Sequence, residues 1–449
     1  MEFSTMSEID PAFIQAPEYR PKLKVIKTDE LPVIDLSNDK KEVVLEIGEA
    51  CKTWGFFQVS NHGVPLELLS RIKKTSKEFF DLPLEEKKLV KRDEVNPLGY
   101  HDSEHTKNVR DWKELFDFLA KDPSFVPTSD EPDDTQLRTI RNQWPAHPPE
   151  FRDVCEQYAR EVEKLAYKML ELICLSLGLP GDRLHSCFKD QFSFVRVNHY
   201  PACPFPELAL GAGRHKDASA LTVLAQDEVG GLEVRRKYDG AWISVKPVPD
   251  AFIINLGDAT QVWSNDRYES AEHRVVVNSE KERFSIPFFF NPAHYVMLKP
   301  LEELVNEQNP ARLEHSAVNL TESIQQGGGM PVPAGSVAPS LLATGKGFTA
   351  KGMQVLELVG KETMDLLITL KLKRMLKMLD KKELESLFEK EELESLSNHY
   401  ALLFNRRKAK LSSELKSSYD GKLKQVHQMF SLSTKVDKGK NVKTGTGKW

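Results

Sequence analysis

The sequence predicts an α+β protein in which a barrel or jelly roll of short strands follows a helix-rich N-terminal region. Helical spacing of apolar residues over 66–80 and 151–177 places two long helices before residue 190. Between residues 192 and 298, short β-branched and aromatic runs alternate with Gly, Pro, Asp and Asn, which is typical of a barrel or jelly roll. Helices first and strands later indicate an α+β class rather than alternating α/β units.

The same periodicities predict the other elements. A further helix is predicted over 41–54, and short apolar runs predict strands over 31–36 and 56–59. Residues 89–150 are rich in Asp, Pro and His, and we expect mainly loops there around a strand at 112–118. The strands predicted in the second half are 192–199, 220–225, 232–235, 242–245, 251–256, 273–277 and 284–290.

Charge and composition divide the 449-residue chain into unlike parts. Asp and Glu outnumber Lys and Arg by 54 to 41 in residues 1–350, whereas Lys and Arg lead by 21 to 13 in residues 351–449. We predict an N-terminal region of helices and mixed structure at 1–190, a jelly-roll core at 191–311, a linker at 312–350 and a helical extension at 351–449. The acidic body argues against nucleic acid as a partner.

The remaining composition predicts a cytoplasmic protein with no membrane partner. No apolar run reaches the about 20 residues that a membrane-spanning helix needs. The five cysteines include no C-x-x-C pair, and the first residues lack the pattern of a secretory signal. A reducing compartment is therefore expected.

The residues best suited to chemistry are His215, Asp217 and His273. In a strand, residues two apart project to one face, so His215 and Asp217 would point the same way, and His273 begins another predicted strand. Two imidazoles and one carboxylate on one face suit non-haem Fe(II), although an H-x-D tripeptide alone also arises by chance. Arg283 and Ser285 share a strand face as well, and a guanidinium beside a hydroxyl makes a clamp for a carboxylate. A metal triad followed by such a clamp predicts a site for a chelating 2-oxo acid.

Residues 10–311 resemble the plant-type Fe(II)- and 2-oxoglutarate-dependent dioxygenases, an isopenicillin N synthase-like family. The resemblance rests on motifs that include WGFFQVSNHGV at 54–64, NHYPACPFPE at 198–207, GRHKDASALTVLAQDEVGGLEV at 213–234 and ERFSIPFFFNP at 282–292. It implies a double-stranded β-helix, the jelly roll, with helices packed on one side. It also implies Fe(II), 2-oxoglutarate as co-substrate, O2, ascorbate as reductant and a small-molecule substrate.

The resemblance also implies a role for individual side chains. It implies no catalytic residue beyond the metal centre, whose ligands would be His215, Asp217 and His273. It implies that 2-oxoglutarate is bound by Arg283, Ser285, Tyr200 and Asn198. Substrate contact is predicted for Phe289 and Arg196, with packing inside the barrel as the alternative. The run Asp111-Trp112-Lys113 either lines the substrate mouth or forms an ordinary strand.

The function that these observations favour is hydroxylation or desaturation of a small hydrophobic specialised metabolite or hormone, with decarboxylation of 2-oxoglutarate to succinate. One alternative is an oxidase of the same fold that does not use 2-oxoglutarate. Another is an inactive dioxygenase shell that acts as an interaction protein through its tail.

The family resemblance ends near Arg312, and residues 397–426 resemble the end of a different, poorly characterised eukaryotic family. The tail is either a fused module that binds a protein partner through an amphipathic helix or a fragment joined by a gene-fusion or gene-model error. Its patterned apolar sequence falls short of a complete domain, which favours the fragment.

Overall fold

The structure is a computed structural model that describes residues 9–21, 31–93, 96–127, 136–311 and 348–349. The chain divides into two units, Met1–Leu367 and Ile368–Trp449, and everything described belongs to the first. The helices predicted for the C-terminal extension, and the linker apart from residues 348–349, lie outside the described residues.

The three long helices predicted from periodicity are confirmed, and two short helices join them in the described part of the chain. The helices are α1 Lys40–Thr53, α2 Leu66–Phe80, α3 Leu84–Lys88, α4 Phe151–Ser176 and α5 Asp258–Trp263. The helix α1 begins where the Asp39 carboxylate accepts a hydrogen bond from the Lys41 backbone N–H. Helices α3 and α5 are too short to show a helical period, which is why the sequence did not reveal them.

The predicted strands are confirmed to within two residues at each end. The strands are β1 Val33–Asp35, β2 Phe56–Ser60, β3 Gly99–His101, β4 His105–Thr106, β5 Val109–Arg110, β6 Glu114–Leu119, β7 Ser124–Pro127, β8 Leu137–Ile140, β9 Phe194–Tyr200, β10 Leu210–His215, β11 Leu221–Gln226, β12 Leu232–Arg235, β13 Trp242–Ser244, β14 Phe252–Leu256, β15 His273–Val276, β16 Arg283–Phe290, β17 Met297–Leu298 and β18 Phe348–Thr349.

Two expectations about strands were wrong. The region 89–150, predicted as mainly loops, contains β3, β4, β5, β7 and β8 besides the predicted β6. These strands are two to four residues long, too short for alternation to be visible in the sequence. Strand β10 was predicted only as a strand through His215 and Asp217, without bounds, because it contains Gly211 and Gly213, and glycine is disfavoured in strands.

The strands form the predicted jelly roll from two sheets. The larger sheet has the order β1-β2-β14-β11-β16-β9-β6-β3, and the smaller has the order β10-β15-β12-β13. An apolar cluster spans both sheets. Leu224 and Ile253 of the larger sheet belong to the same cluster as Leu232, Val234 and Val275 of the smaller one. The core between the sheets therefore holds the site-bearing strands at fixed positions.

Helices cover the outer face of the larger sheet, as the predicted α+β class requires. Helix α4 buries one apolar stripe along its whole length, which includes Val162 and Met169. The Tyr158 hydroxyl on this helix donates a hydrogen bond of 2.9 Å to the Ile286 carbonyl of β16. None of the helices described here is long and apolar enough to cross a membrane.

A buried charged network fixes the position of β9 against the helices. His199 lies between two carboxylates, with Nδ1 2.9 Å from Glu114 Oε1 and Nε2 3.0 Å from Glu282 Oε2. Lys87 of α3 donates to Glu114 Oε2 at 2.8 Å. Burial alone would raise the pKa of Glu114, but the hydrogen bond with His199 and the Lys87 charge lower it to about 2. Burial alone would lower the pKa of His199, but its hydrogen bonds to both carboxylates raise it.

The raised pKa of His199 predicts how stability depends on pH. Since the folded-state pKa lies above the ordinary value of 6.5, the stabilisation is fully present below that pH and is lost as pH rises through the raised pKa. His199→Gln keeps an amide donor but cannot be protonated. We expect the free energy of unfolding of the wild type, relative to His199→Gln, to fall as the pH rises above 6.5 in urea denaturation.

The matched control is His105→Gln, because His105 is exposed in β4. This substitution should leave the pH dependence of the wild type unchanged. A stability advantage of wild type over His199→Gln that stays constant or grows with pH would show that the imidazolium does not stabilise this network.

Candidate active site

Three potential metal ligands converge between the two sheets. His215 ends β10 and lies opposite His273, the first residue of β15. Asp217 Oδ1 is 3.7 Å from His215 Nε2 and 3.6 Å from His273 Nε2. The three ligand atoms all lie within 4.8 Å of one another. The sequence predicted this set of residues, and the structure brings its members together.

The convergence does not arise from strand alternation, as the sequence had suggested. Strand β10 ends at His215, so Asp217 lies in the segment that follows it. That segment is held by close backbone contact, in which the Asp258 N–H donates to the Asp217 carbonyl at 2.8 Å. Gly257 permits this approach, because a Cβ there would lie 1.9 Å from the Ser219 carbonyl oxygen.

Both imidazoles present a free Nε2 to the centre of the cluster. His215 Nδ1 lies 2.7 Å from the Gly213 carbonyl, and His273 Nδ1 lies 3.1 Å from the Ala271 carbonyl. A carbonyl only accepts hydrogen bonds, so each Nδ1 carries a proton, and in the neutral form of each ring Nε2 holds the lone pair. Burial, and next the charge of His273, lower the pKa of His215 to about 3. The neutral imidazole is the form that binds a metal.

The Asp217 carboxylate is hydrogen-bonded on one oxygen only. Oδ2 accepts from the Thr222 hydroxyl at 2.6 Å and from Asn255 Nδ2 at 2.8 Å. Oδ1 is buried and has no hydrogen-bond partner in the described structure. Two imidazole nitrogens and one unpartnered carboxylate oxygen are a donor set that fits Fe(II). Thr222 and Asn255 were not predicted as site residues, although an asparagine inside the apolar strand β14 is a usable signal.

Arg283 carries an unsatisfied buried guanidinium. Its Nη2 donates to Gln226 Oε1 at 3.1 Å, whereas Nε and Nη1 are buried without a described partner. The guanidinium lies 5.0 Å from the centre of the Tyr200 ring. Ser285 lies opposite Asn198, whose Nδ2 donates to Ser285 Oγ at 3.4 Å. Unpaired guanidinium donors beside a hydroxyl fit one carboxylate of 2-oxoglutarate.

One cavity joins the two halves of this site. The space between its lining atoms is about 640 Å³, which includes the part open to solvent. The residues that line it include both candidate imidazoles, the candidate clamp and the side chains of Thr106, Lys113, Arg196 and Phe289.

The side chains predicted to contact substrate reach the cavity, but both also have packing partners. Arg196 forms two hydrogen bonds with the Asp117 carboxylate, at 2.8 and 2.9 Å. The Phe289 ring stacks on Phe194, with ring centres 4.7 Å apart. Substrate contact by Arg196 and Phe289 therefore stays a prediction. Of the run Asp111-Trp112-Lys113, for which both a substrate mouth and an ordinary strand are possible, Lys113 lines the cavity.

Comparison with known proteins identifies relatives of both the core and the tail. The profile of the 2OG-Fe(II) oxygenase superfamily matches residues 191–292, and the profile described as the N-terminal part of the non-haem dioxygenase in morphine synthesis matches residues 31–147. A domain of unknown function matches residues 385–448.

Curated proteins match the chain along most of their own length. "Jasmonate-induced oxygenase 1" of Arabidopsis thaliana is 36% identical over 325 residues, which are 68% of this chain and 76% of that protein. "Flavanone 3-dioxygenase 2" of Oryza sativa subsp. japonica is 38% identical over 308 residues, or 67% of this chain and 84% of that protein.

Solved structures show the same similarity. A crystal structure of JOX2 in complex with 2-oxoglutarate, iron and JA is 35% identical with a TM-score of 0.59, covering 69% of this chain and 86% of that one. The structure of the dioxygenase for auxin oxidation in rice is 29% identical with a TM-score of 0.52, covering 64% of this chain and 91% of that one.

The hydrogen bond from Thr222 predicts an effect on metal affinity. Thr222→Val removes the hydroxyl that orients Asp217, so we expect the affinity for Mn(II), used as a stable substitute for Fe(II), to fall about 10- to 100-fold. Isothermal titration calorimetry measures the affinity. The matched control Thr139→Val changes an exposed residue of β8 and should leave it unchanged. Equal Mn(II) affinity in wild type and a folded Thr222→Val protein would contradict the orienting role of this hydroxyl.

Proposed function

Because the chain belongs to the 2OG-Fe(II) oxygenase superfamily and is a 2-oxoglutarate-dependent dioxygenase, we propose that it hydroxylates a small hydrophobic metabolite or hormone in the cavity between its two sheets. The observation that carries the proposal is the presence in one cavity of two incomplete polar groups. One is the unpartnered Oδ1 of Asp217 between two imidazoles, and the other is the unpartnered Nε and Nη1 of Arg283.

The metal ligands in this proposal are His215, Asp217 and His273. When bound, Fe(II) and 2-oxoglutarate supply an oxidation by O2 in which 2-oxoglutarate is decarboxylated to succinate as the substrate is oxidised. The carbonyls of Gly213 and Ala271 keep both Nε2 lone pairs directed inward, and Thr222 with Asn255 fixes the carboxylate.

The proposed site for 2-oxoglutarate is the clamp of Arg283 and Ser285. The Tyr200 ring and the Gln226 side chain hold the guanidinium in place, and Asn198 contacts the Ser285 hydroxyl. The buried donors gain most from a charged acceptor, because few other partners are available to them. This arrangement favours a 2-oxoglutarate-dependent reaction over the alternative of a same-fold oxidase without that co-substrate.

The substrate class is supported by the cavity and by the relatives. Apolar side chains of both sheets, including Phe56, Leu224, Leu232 and Val275, line the cavity beside the polar groups. The matching proteins include jasmonate-induced oxygenases and a flavanone dioxygenase, and the matching structures include one bound to JA. Desaturation of the same class of substrate would use the same site.

The remaining predictions concern the whole chain. We propose the boundaries given above for the four regions, a cytoplasmic location and ascorbate as the reductant. The match of residues 385–448 to a domain of unknown function supports an origin of the tail outside the dioxygenase family. Both explanations of the tail, a fused module that binds a protein partner and a joined fragment, stay open proposals.

The proposed clamp predicts a specific kinetic defect. Arg283→Ala removes the charged donors, so we expect the KM for 2-oxoglutarate to rise about 10- to 100-fold. The assay measures succinate formed by the full chain with Fe(II), ascorbate and a broad panel of plant metabolites. Arg152→Ala is the matched control, because Arg152 is an exposed arginine on α4 that pairs with Glu156.

Two results would overturn the proposal. An unchanged KM for 2-oxoglutarate in Arg283→Ala would mean that the guanidinium serves the substrate instead. Succinate formation by wild type no greater than that by Asp217→Ala, across the whole panel, would exclude the reaction at this centre.

A further inference from the structure

Lys113 places a buried positive charge at the wall of the substrate cavity. It immediately precedes β6, its exposed fraction is 5%, and it is one of the residues that line the cavity. Among the described residues, the ion-pair partner of its ammonium group is Asp111, with Nζ 3.1 Å from Oδ2. Burying an ammonium group is costly unless charged or polar partners compensate for the lost water.

The partner carboxylate lies behind the wall and is shared with other donors. Asp111 is fully buried and is not among the residues that line the cavity. Its Oδ2 also accepts from the Thr106 hydroxyl at 2.8 Å, and its Oδ1 accepts from the Gly213 N–H at 3.0 Å. Of this cluster, Thr106 and Lys113 line the cavity, whereas Asp111 lies behind them.

The other two cations of the cavity wall have different partners. Arg196 is neutralised by two hydrogen bonds with Asp117. Arg283 is assigned to the co-substrate by the proposed function. Unlike Arg196, Lys113 has one ion-pair contact within the described part of the chain, and the carboxylate oxygen that makes it also accepts from Thr106.

Lys113 keeps its charge at neutral pH. Burial alone would lower its pKa, but the negative charge of Asp111 and smaller contributions from Tyr200 and Glu104 outweigh burial and raise it. Asp111 binds the Gly213 backbone, two residues before the candidate ligand His215, so the ammonium lies close to the strand that carries the metal site.

We propose that Lys113 binds a carboxylate of the substrate, so that the substrate is a small carboxylic acid with an apolar body. A charged acceptor forms the stronger hydrogen bond with an ammonium group, whereas a cationic substrate would be repelled. The inference rests on the proposed function, because that function places the substrate in this cavity.

The test compares acids with their neutral esters by binding alone. Full-length protein is loaded with Mn(II) and 2-oxoglutarate without O2 and titrated calorimetrically with indole-3-acetic, trans-cinnamic, 2-naphthoic and dodecanoic acids and with their methyl esters. For at least one pair, we expect the acid to bind about 10-fold or more tightly than its ester. Lys113→Met should abolish this preference, and Lys113→Arg should retain it.

Two further variants keep the outcome decisive. Lys113→Gln keeps a polar donor without the charge and should also lose the preference, so a folding failure of Lys113→Met does not end the test. Lys91→Met, a change at a partly exposed lysine that pairs with Asp102, should bind the panel like wild type.

Three results would overturn the inference. The first is that no acid of the panel binds more tightly than its ester. The second is that Lys113→Met or Lys113→Gln keeps the preference for the acid. The third is that either variant weakens only the binding of 2-oxoglutarate. Absence of succinate formation by wild type in air would contradict the proposed function instead. The two failures are distinguishable because the binding comparison uses no turnover.

Discussion

The active site depends on how one buried carboxylate is held. Two strands of the larger sheet supply the donors to Asp217 Oδ2, Thr222 from β11 and Asn255 from β14. Two strands of the smaller sheet supply the imidazoles that face Oδ1. A buried charge with one oxygen unpaired is costly, and a cation bound between the sheets would compensate for that cost. The same carboxylate therefore links the packing of the jelly roll to its capacity to hold a metal.

The register of the larger sheet extends this constraint across the cavity. Arg283 lies opposite Tyr200, and Ser285 lies between Asn198 and Gln226 on the neighbouring strands. Because side chains alternate along a strand, this register turns the clamp and its supporting residues to the inner face together. On the other face, His199 pairs with Glu114 and Glu282 and locks β9 in place. Strand β9 thus carries residues of the proposed co-substrate site on one face and a member of the charged network on the other.

The sequence was sufficient where an inference needed only local spacing. Period and length predicted α2 and α4, and parity alone placed Arg283 and Ser285 on one face. It was insufficient where contacts cross between sheets. Asn255 is 38 residues from the carboxylate that it supports, and no local pattern reports such a pair. The bounds of strand β10 could not be predicted because its glycines interrupt the alternating pattern. In the structure, the side chains of Thr106 and Tyr200 lie so close to this backbone that a Cβ would not fit, which explains the small residues. The role of Lys113 was ambiguous in the sequence, because only the folded chain shows that this residue lines the cavity.

The most direct test of the central claim is the anomalous scattering from crystals of the full chain grown without O2 in the presence of Mn(II) and 2-oxoglutarate. The structure predicts one metal peak bounded by His215 Nε2, Asp217 Oδ1 and His273 Nε2, with a carboxylate of 2-oxoglutarate on Arg283. A metal peak elsewhere, no peak at saturating Mn(II), or a co-substrate that leaves the Arg283 guanidinium unpaired would contradict this account.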